Sequence, residues 1–123
     1  MKSTFLRELQ ERGYLNQCTD LEGLDNRWKR HIQMSEYTRN WALNHGQELF
    51  PENGCESFTL TCIKNIKNWD INSMYEKLLS KGFRMDRGYG NLKGKVFRVP
   101  HMGNVYMDDL KEYLTVMDEL ICQ

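Results

Sequence analysis

A change of hydrophobic period along the chain constrains the fold more than any other feature. The run "SFTLTCIK", residues 57–64, alternates with period two: Phe58, Leu60 and Cys62 face one way, Thr59, Thr61 and Ile63 the other. That spacing belongs to a β-strand, because successive side chains of extended backbone point to opposite faces. Helical periods flank it on both sides. Residues 25–44 place Trp28, Ile32, Ser35 and Ala42 on one helical face, which Met34, Thr38 and Trp41 broaden. Downstream, "DINSMYEKLLSKG" carries Ile71, Met74, Tyr75, Leu78 and Leu79 at i, i+3, i+4, i+7 and i+8.

The remaining segments complete a mixed pattern. "STFLRELQERG" predicts a short first helix, capped by Ser3 or Thr4, striped by Phe5, Leu6 and Leu9 and stopped at Gly13. "YLNQCTDLEG" reads as a turn, so the cap of the long helix falls on Asp25 or Asn26, with Gly46 at its end. Asp70 or Asn72 caps the middle helix and Gly82 ends it. Two short strands are expected at 83–87 and 95–99, around a Gly-rich connection. A last helix follows, with Met107, Leu110, Leu114, Met117 and Ile121 as its stripe and Asp108 and Asp109 in its first turn. The expected fold class is α+β: a small, mostly antiparallel three-stranded sheet with helices packed on one face, preceded by a long helix and a short N-terminal helix.

With 123 residues the chain suffices for one modest core. Seventeen Lys plus Arg against 17 Asp plus Glu give a formal net charge of zero, which argues against a nucleic-acid or membrane-surface partner. No apolar run reaches the roughly 18 residues of a membrane span, and the amphipathic start has no signal-peptide core. A cytoplasmic location is therefore expected. Cys18, Cys55, Cys62 and Cys122 have no paired spacing, so neither a zinc site nor a disulfide framework is expected.

Chemistry concentrates late in the chain. Arg84, Arg87, Lys93, Lys95, Arg98 and His101 are opposed only by Asp86 within their stretch. Guanidinium groups match carboxylate and phosphate bidentately, so the cluster suits an anion, although charge clusters are more often solvated surface. Arg98 is the best placed of them. It shares a strand face with Val96, and Pro100 confines its strand to an edge or an end. From the residues alone it is equally an edge arginine paired to a surface acid. His101 reads as a turn histidine, His31 and His45 carry no functional claim, and "GYGNLKG" lacks the helix that a phosphate-binding glycine loop needs. Trp28, Met34, Tyr37 and Trp41 read as core or interface.

Two resemblances add to this. From about residue 23 to 120, "GLDNRWKRHIQMSEYTRNWA", "LTCIKN", "LLSKGFRMDRGYGNLKGKVFRVPHMGN" and "DLKEYLTVMDEL" resemble the C-terminal small domain of class V (fold type I) pyridoxal-phosphate-dependent aminotransferases, the alanine–glyoxylate and serine–pyruvate group. Residues 1–24, with "STFLRELQERGYLNQCTDLEGL", instead resemble the N-terminus of bacterial tyrosyl-tRNA synthetases. The pair implies a chimera joined near "LEGLD", with a synthetase-like segment over 1–24 and an aminotransferase-like domain over 25–123. In the aminotransferase family the arginine of the motif matching "FRVPHMG" binds the substrate α-carboxylate, which makes Arg98 a vestigial carboxylate-binding residue here.

The rest of that family's machinery lies in a large domain outside these residues. The resemblance thus implies a unit that folds without catalysing, with no catalytic residue, no cofactor-binding residue and no pyridoxal phosphate of its own. Apolar surface left uncovered would favour a homodimer. The alternative it implies is a transaminase component, active only when a large domain complements it.

Overall fold

A computed structural model of the chain describes residues 3–122. Helix α1 (Thr4–Glu11) starts at Ser3, whose hydroxyl accepts from the Leu6 N–H at 3.3 Å, and closes at Arg12 before Gly13. Helix α2 spans Leu21–Asn44 and starts four residues earlier than expected, because Asp20 caps it by accepting from the Gly23 N–H at 2.8 Å. Asp25 is not a cap. It lies inside α2, 7% exposed, accepting from the Ser3 N–H at 3.0 Å and pairing with Lys29 at 2.8 Å. The hydrogen bond from Lys29, seconded by Ser3, holds the Asp25 carboxyl down at about 2. The Ser3 bond ties the start of α1 to α2, and Phe5 stacks on Trp28 with ring centroids 4.5 Å apart. Leu6 is buried, whereas Tyr14 is 73% exposed.

The sheet runs β1 (Glu48–Leu49), β2 (Leu60–Lys64), β3 (Val96–Pro100), antiparallel throughout, with β2 central. Its third strand is not the expected one. Residues 83–87 make a single antiparallel bridge, Asp86 to Arg98, while Met85 turns into the core. The two-residue β1 takes the opposite edge instead, pairing Glu48 with Lys64 and Leu49 with Ile63.

Register sorts the sheet's two faces. Thr61 pairs with Val99 and Ile63 with Phe97, and all four are buried under the helices. Against them pack Met34, Trp41 and Ala42 of α2, Ile71, Met74 and Leu78 of α3 (Ile71–Ser80), and Leu110, Leu114, Met117 and Leu120 of α4 (Met107–Ile121). Asp70 caps α3 by accepting from the Ser73 N–H at 3.0 Å, and Asp109 bonds back to the Tyr106 N–H at 2.9 Å at the start of α4. Asp118 of α4 accepts from Trp41 Nε1 and bonds His45 Nε2, each at 2.7 Å, joining α4 to the end of α2.

Candidate functional site

The other sheet face carries Leu60, Cys62 and Lys64 of β2 with Val96 and Arg98 of β3. Arg98 stands beside Cys62 on this face, at an edge that the chain from 84 to 95 folds over. Its Nε donates to Asp86 Oδ1 at 2.9 Å and its Nη2 to Oδ2 at 2.6 Å, a fork-on-carboxylate geometry. The backbones register the same pair, the Arg98 N–H donating to the Asp86 carbonyl at 3.0 Å. The side chains remain 35% and 38% exposed, so this ion pair sits at the rim of solvent.

The electrostatics follow from that geometry. Hydrogen bonds from Arg98 hold the Asp86 carboxyl below its ordinary range, the Gly88 N–H adding to them at 2.9 Å. Asp86 in turn pushes the guanidinium upward. Burial raises the Cys62 thiol, with Arg98 acting against it, so Cys62 is not an activated thiolate.

Gly88 is what lets the loop lie so close. Its φ is +86°, and a Cβ there would meet Val96 Cγ2 at 2.9 Å and the Leu92 carbonyl oxygen at 3.0 Å. The glycine run that follows makes one 3-10 turn, Gly90–Leu92, and leads into a strand, so no helix N-terminus faces a phosphate.

The cationic cluster divides into four settings. Arg84, Arg87 and Lys93 line a cavity of about 440 Å³ together with Tyr75, Asp86 and Gly88. Within it the Arg87 guanidinium lies 4.0 Å over the Tyr75 ring and donates to Asn72 Oδ1 at 3.2 Å. Arg98 lies behind Asp86, and Lys95 is exposed outside the cavity. His101 belongs to the core face, since two-residue alternation carries it beyond Phe97 and Val99 to the inner side. It is fully buried, with Nε2 bonded to Thr61 Oγ1 at 2.8 Å, and burial lowers its pKa to about 4. A group held neutral and inaccessible is a core histidine. Sequence reasoning missed Asp86 as the partner of Arg98; the one signal was that Asp86 is the sole acid among six basic residues.

Among the described residues no group of three His, Cys, Asp or Glu is placed to hold a metal, and no helix is long and apolar enough to cross a membrane. The lysines of residues 3–122 all stand at the surface or only half-buried, and the one beside the cavity, Lys93, is exposed. A pyridoxal phosphate held covalently needs a lysine amine in a walled, partly apolar pocket. The described residues do not fit that group.

No family model matches the chain. An uncharacterized aminotransferase of Methanocaldococcus jannaschii is 35% identical over 94 residues, 72% of this chain and 24% of that protein. Among solved structures, the alanine–glyoxylate aminotransferase of Nostoc sp. superposes with a TM-score of 0.69 at 26% identity, over 76% of this chain and 26% of that one. The ureidoglycine–glyoxylate aminotransferase of Bacillus subtilis gives 0.68 at 22% identity, over 95% of this chain and 28% of that one. The chain is related to class V aminotransferases of the alanine–glyoxylate type, and spans about a quarter of the length of these relatives. A synthetase origin for residues 1–24 finds no support in these matches. Helix α2 runs unbroken across residues 24 and 25.

Proposed function

We propose that these residues form the C-terminal small-domain unit of a class V-type aminotransferase, a unit that folds by itself and contributes recognition of a substrate carboxylate through Arg98. The observation that carries the reading is the fork of Arg98 on a carboxylate at the open sheet face, in a chain whose relatives are aminotransferases. The guanidinium is always charged, and its rigid fork selects a planar anion over a neutral group. In this reading pyridoxal phosphate, where bound, supplies the electron sink for transamination, and a large domain supplies its lysine and pocket. By themselves the 123 residues hold no such cofactor and do not catalyse.

Adding pyridoxal phosphate to the chain, alone and with the large domain of a related aminotransferase, tests this. The expected result is no visible absorbance band from the chain alone. A band that survives dialysis of the chain alone, with transamination, would overturn the non-catalytic reading. A band and turnover only in the mixture would instead establish a component that works by complementation. Light scattering on the same sample reads whether exposed Phe50, Phe58 and Met102 draw two copies into a homodimer.

A further inference from the structure

Asp86 holds the position that an incoming ligand needs. Its two carboxylate oxygens take Nε and Nη2 of Arg98, the same pair of donors that a free carboxylate takes in a bidentate complex. The contact is intramolecular, so it faces the guanidinium at high effective concentration. It is nonetheless not sealed, since both side chains are over a third exposed.

Behind the carboxylate lies an alternative for it. Asp86 lines the cavity of about 440 Å³ that also holds Arg84, Arg87 and Lys93. Arg84 and Lys93 form no ion pair among the described residues. Arg87 is pinned by Tyr75 and Asn72 and so offers a fixed positive charge. Turning the Asp86 carboxylate from Arg98 toward these cations takes rotation about its side-chain bonds and releases the Gly88 N–H from Oδ1. The backbone bridge from the Arg98 N–H to the Asp86 carbonyl need not break.

We propose that Asp86 is an internal stopper for the Arg98 anion site: it stands in for the ligand's carboxylate, and a small monocarboxylate binds by displacing it into the Arg84–Arg87–Lys93 cavity. The inference rests on the reading of Arg98 as a carboxylate anchor and adds the residue that sets its affinity. A site closed most of the time binds with its intrinsic affinity reduced by the open fraction. Removing the stopper's charge therefore tightens binding, although it deletes an interaction.

The test is an NMR titration of the full 123-residue chain with acetate and with pyruvate, following the Arg98 Nε–H resonance and the backbone amides of β3. Asp86→Asn keeps size and an acceptor for the Gly88 N–H; Asp86→Ser, smaller and also neutral, repeats the test should the amide disturb the turn. The expected result is dissociation constants about two- to fivefold lower in the Asp86 variants, the scale of a half-exposed charge pair. Arg84→Gln with Lys93→Gln should weaken binding to the wild-type chain several-fold and leave binding to Asp86→Asn unchanged, because only the former has a carboxylate to rehouse. Equal affinities in wild type and Asp86→Asn, both lost in Arg98→Lys, would overturn the stopper and keep the anchor. Binding that persists in Arg98→Lys, or no binding in any variant, would remove the anchor and the stopper with it. Equal weakening of both backgrounds by the cavity variants would show general attraction of anions and overturn the displacement.

Discussion

The two faces of this sheet are made by the same residues' alternation and live in different physical regimes. On the inner face Thr61, Ile63, Phe97, Val99 and His101 are shut beneath three helices, where Thr61 Oγ1 bonds His101 Nε2 while His101 Nδ1 is buried without a partner. On the outer face Gly88 closes over Val96, and Arg98 is met by one carboxylate at the solvent rim. The difference teaches where energy and specificity reside. Apolar area removed from water stabilises at about 25 cal/mol per Å², and the main apolar core lies on the inner face. The outer face contributes little to stability and keeps a charged fork free to exchange partners.

The comparison breaks most decisively at Phe97. The ring is fully buried among Trp69, Ile63 and the helices, and Phe97→Ala removes it without a path for collapse. A loss of about 3–5 kcal/mol is expected, read as a fall in the denaturant midpoint. Since a small domain has about 5–15 kcal/mol in all, that variant approaches unfolding. A loss under about 1 kcal/mol would mean that the inner face is not the main store of stability.

His101 is the inner face's second lever. Replacing it by Leu leaves the Thr61 hydroxyl without its partner, at a cost of about 1–3 kcal/mol. It also removes a pH dependence. The folded pKa is about 4 against an ordinary 6.5, so the unfolded chain takes up the proton first. The histidine's contribution is whole above about 6.5 and is lost progressively as pH falls through about 4. Denaturant midpoints between those limits should slope in the wild type and lie flatter in His101→Leu. The Asp25 contribution occupies a separate, lower window, present above 3.8 and lost as pH falls through about 2.

What could be read from the chain divides along the same line. The alternation of 57–64 and the stripes of α3 and α4 declared the layered fold, because each is a local pattern that burial enforces. The start of α2 was hidden because Gly23 and the polar residues around it look like a turn, although Asp20 needs only one N–H to cap a helix. Residues 83–87 alternate like a strand, yet bridge at one position since Met85 is drawn into the core and Gly88 turns the chain over Val96. β1, at two residues, has too few positions to show a period. Arg98 was legible as the outstanding cation of the site. Its partner was not, for which acid meets it depends on a fold-over of 12 residues that no local period encodes.

On the outer face the larger expected effect comes from Gly88. An alanine there adopts φ near +86° and drives its methyl into Val96 and the Leu92 carbonyl, at a cost of about 1–3 kcal/mol. Because Gly88 also donates to Asp86, the thermal midpoint should fall together with a shift of the Arg98 Nε–H resonance. A fall without that shift would uncouple the loop from the ion pair.

The smallest effect on stability is expected at Asp86 itself. A pair this exposed contributes about 0–1 kcal/mol, because ordering two side chains and screening by salt offset most of the attraction. Asp86→Asn should therefore leave the denaturant midpoint nearly unchanged and make what difference remains insensitive to added salt. Its low stabilisation is what an exchangeable contact requires: a pair holding 3 kcal/mol or more, as buried pairs do, would be too strong for a millimolar carboxylate to open. A loss of that size in Asp86→Asn would place the pair with the inner face, as part of the scaffold, and the contrast between the two faces would fail at the residue where it matters most.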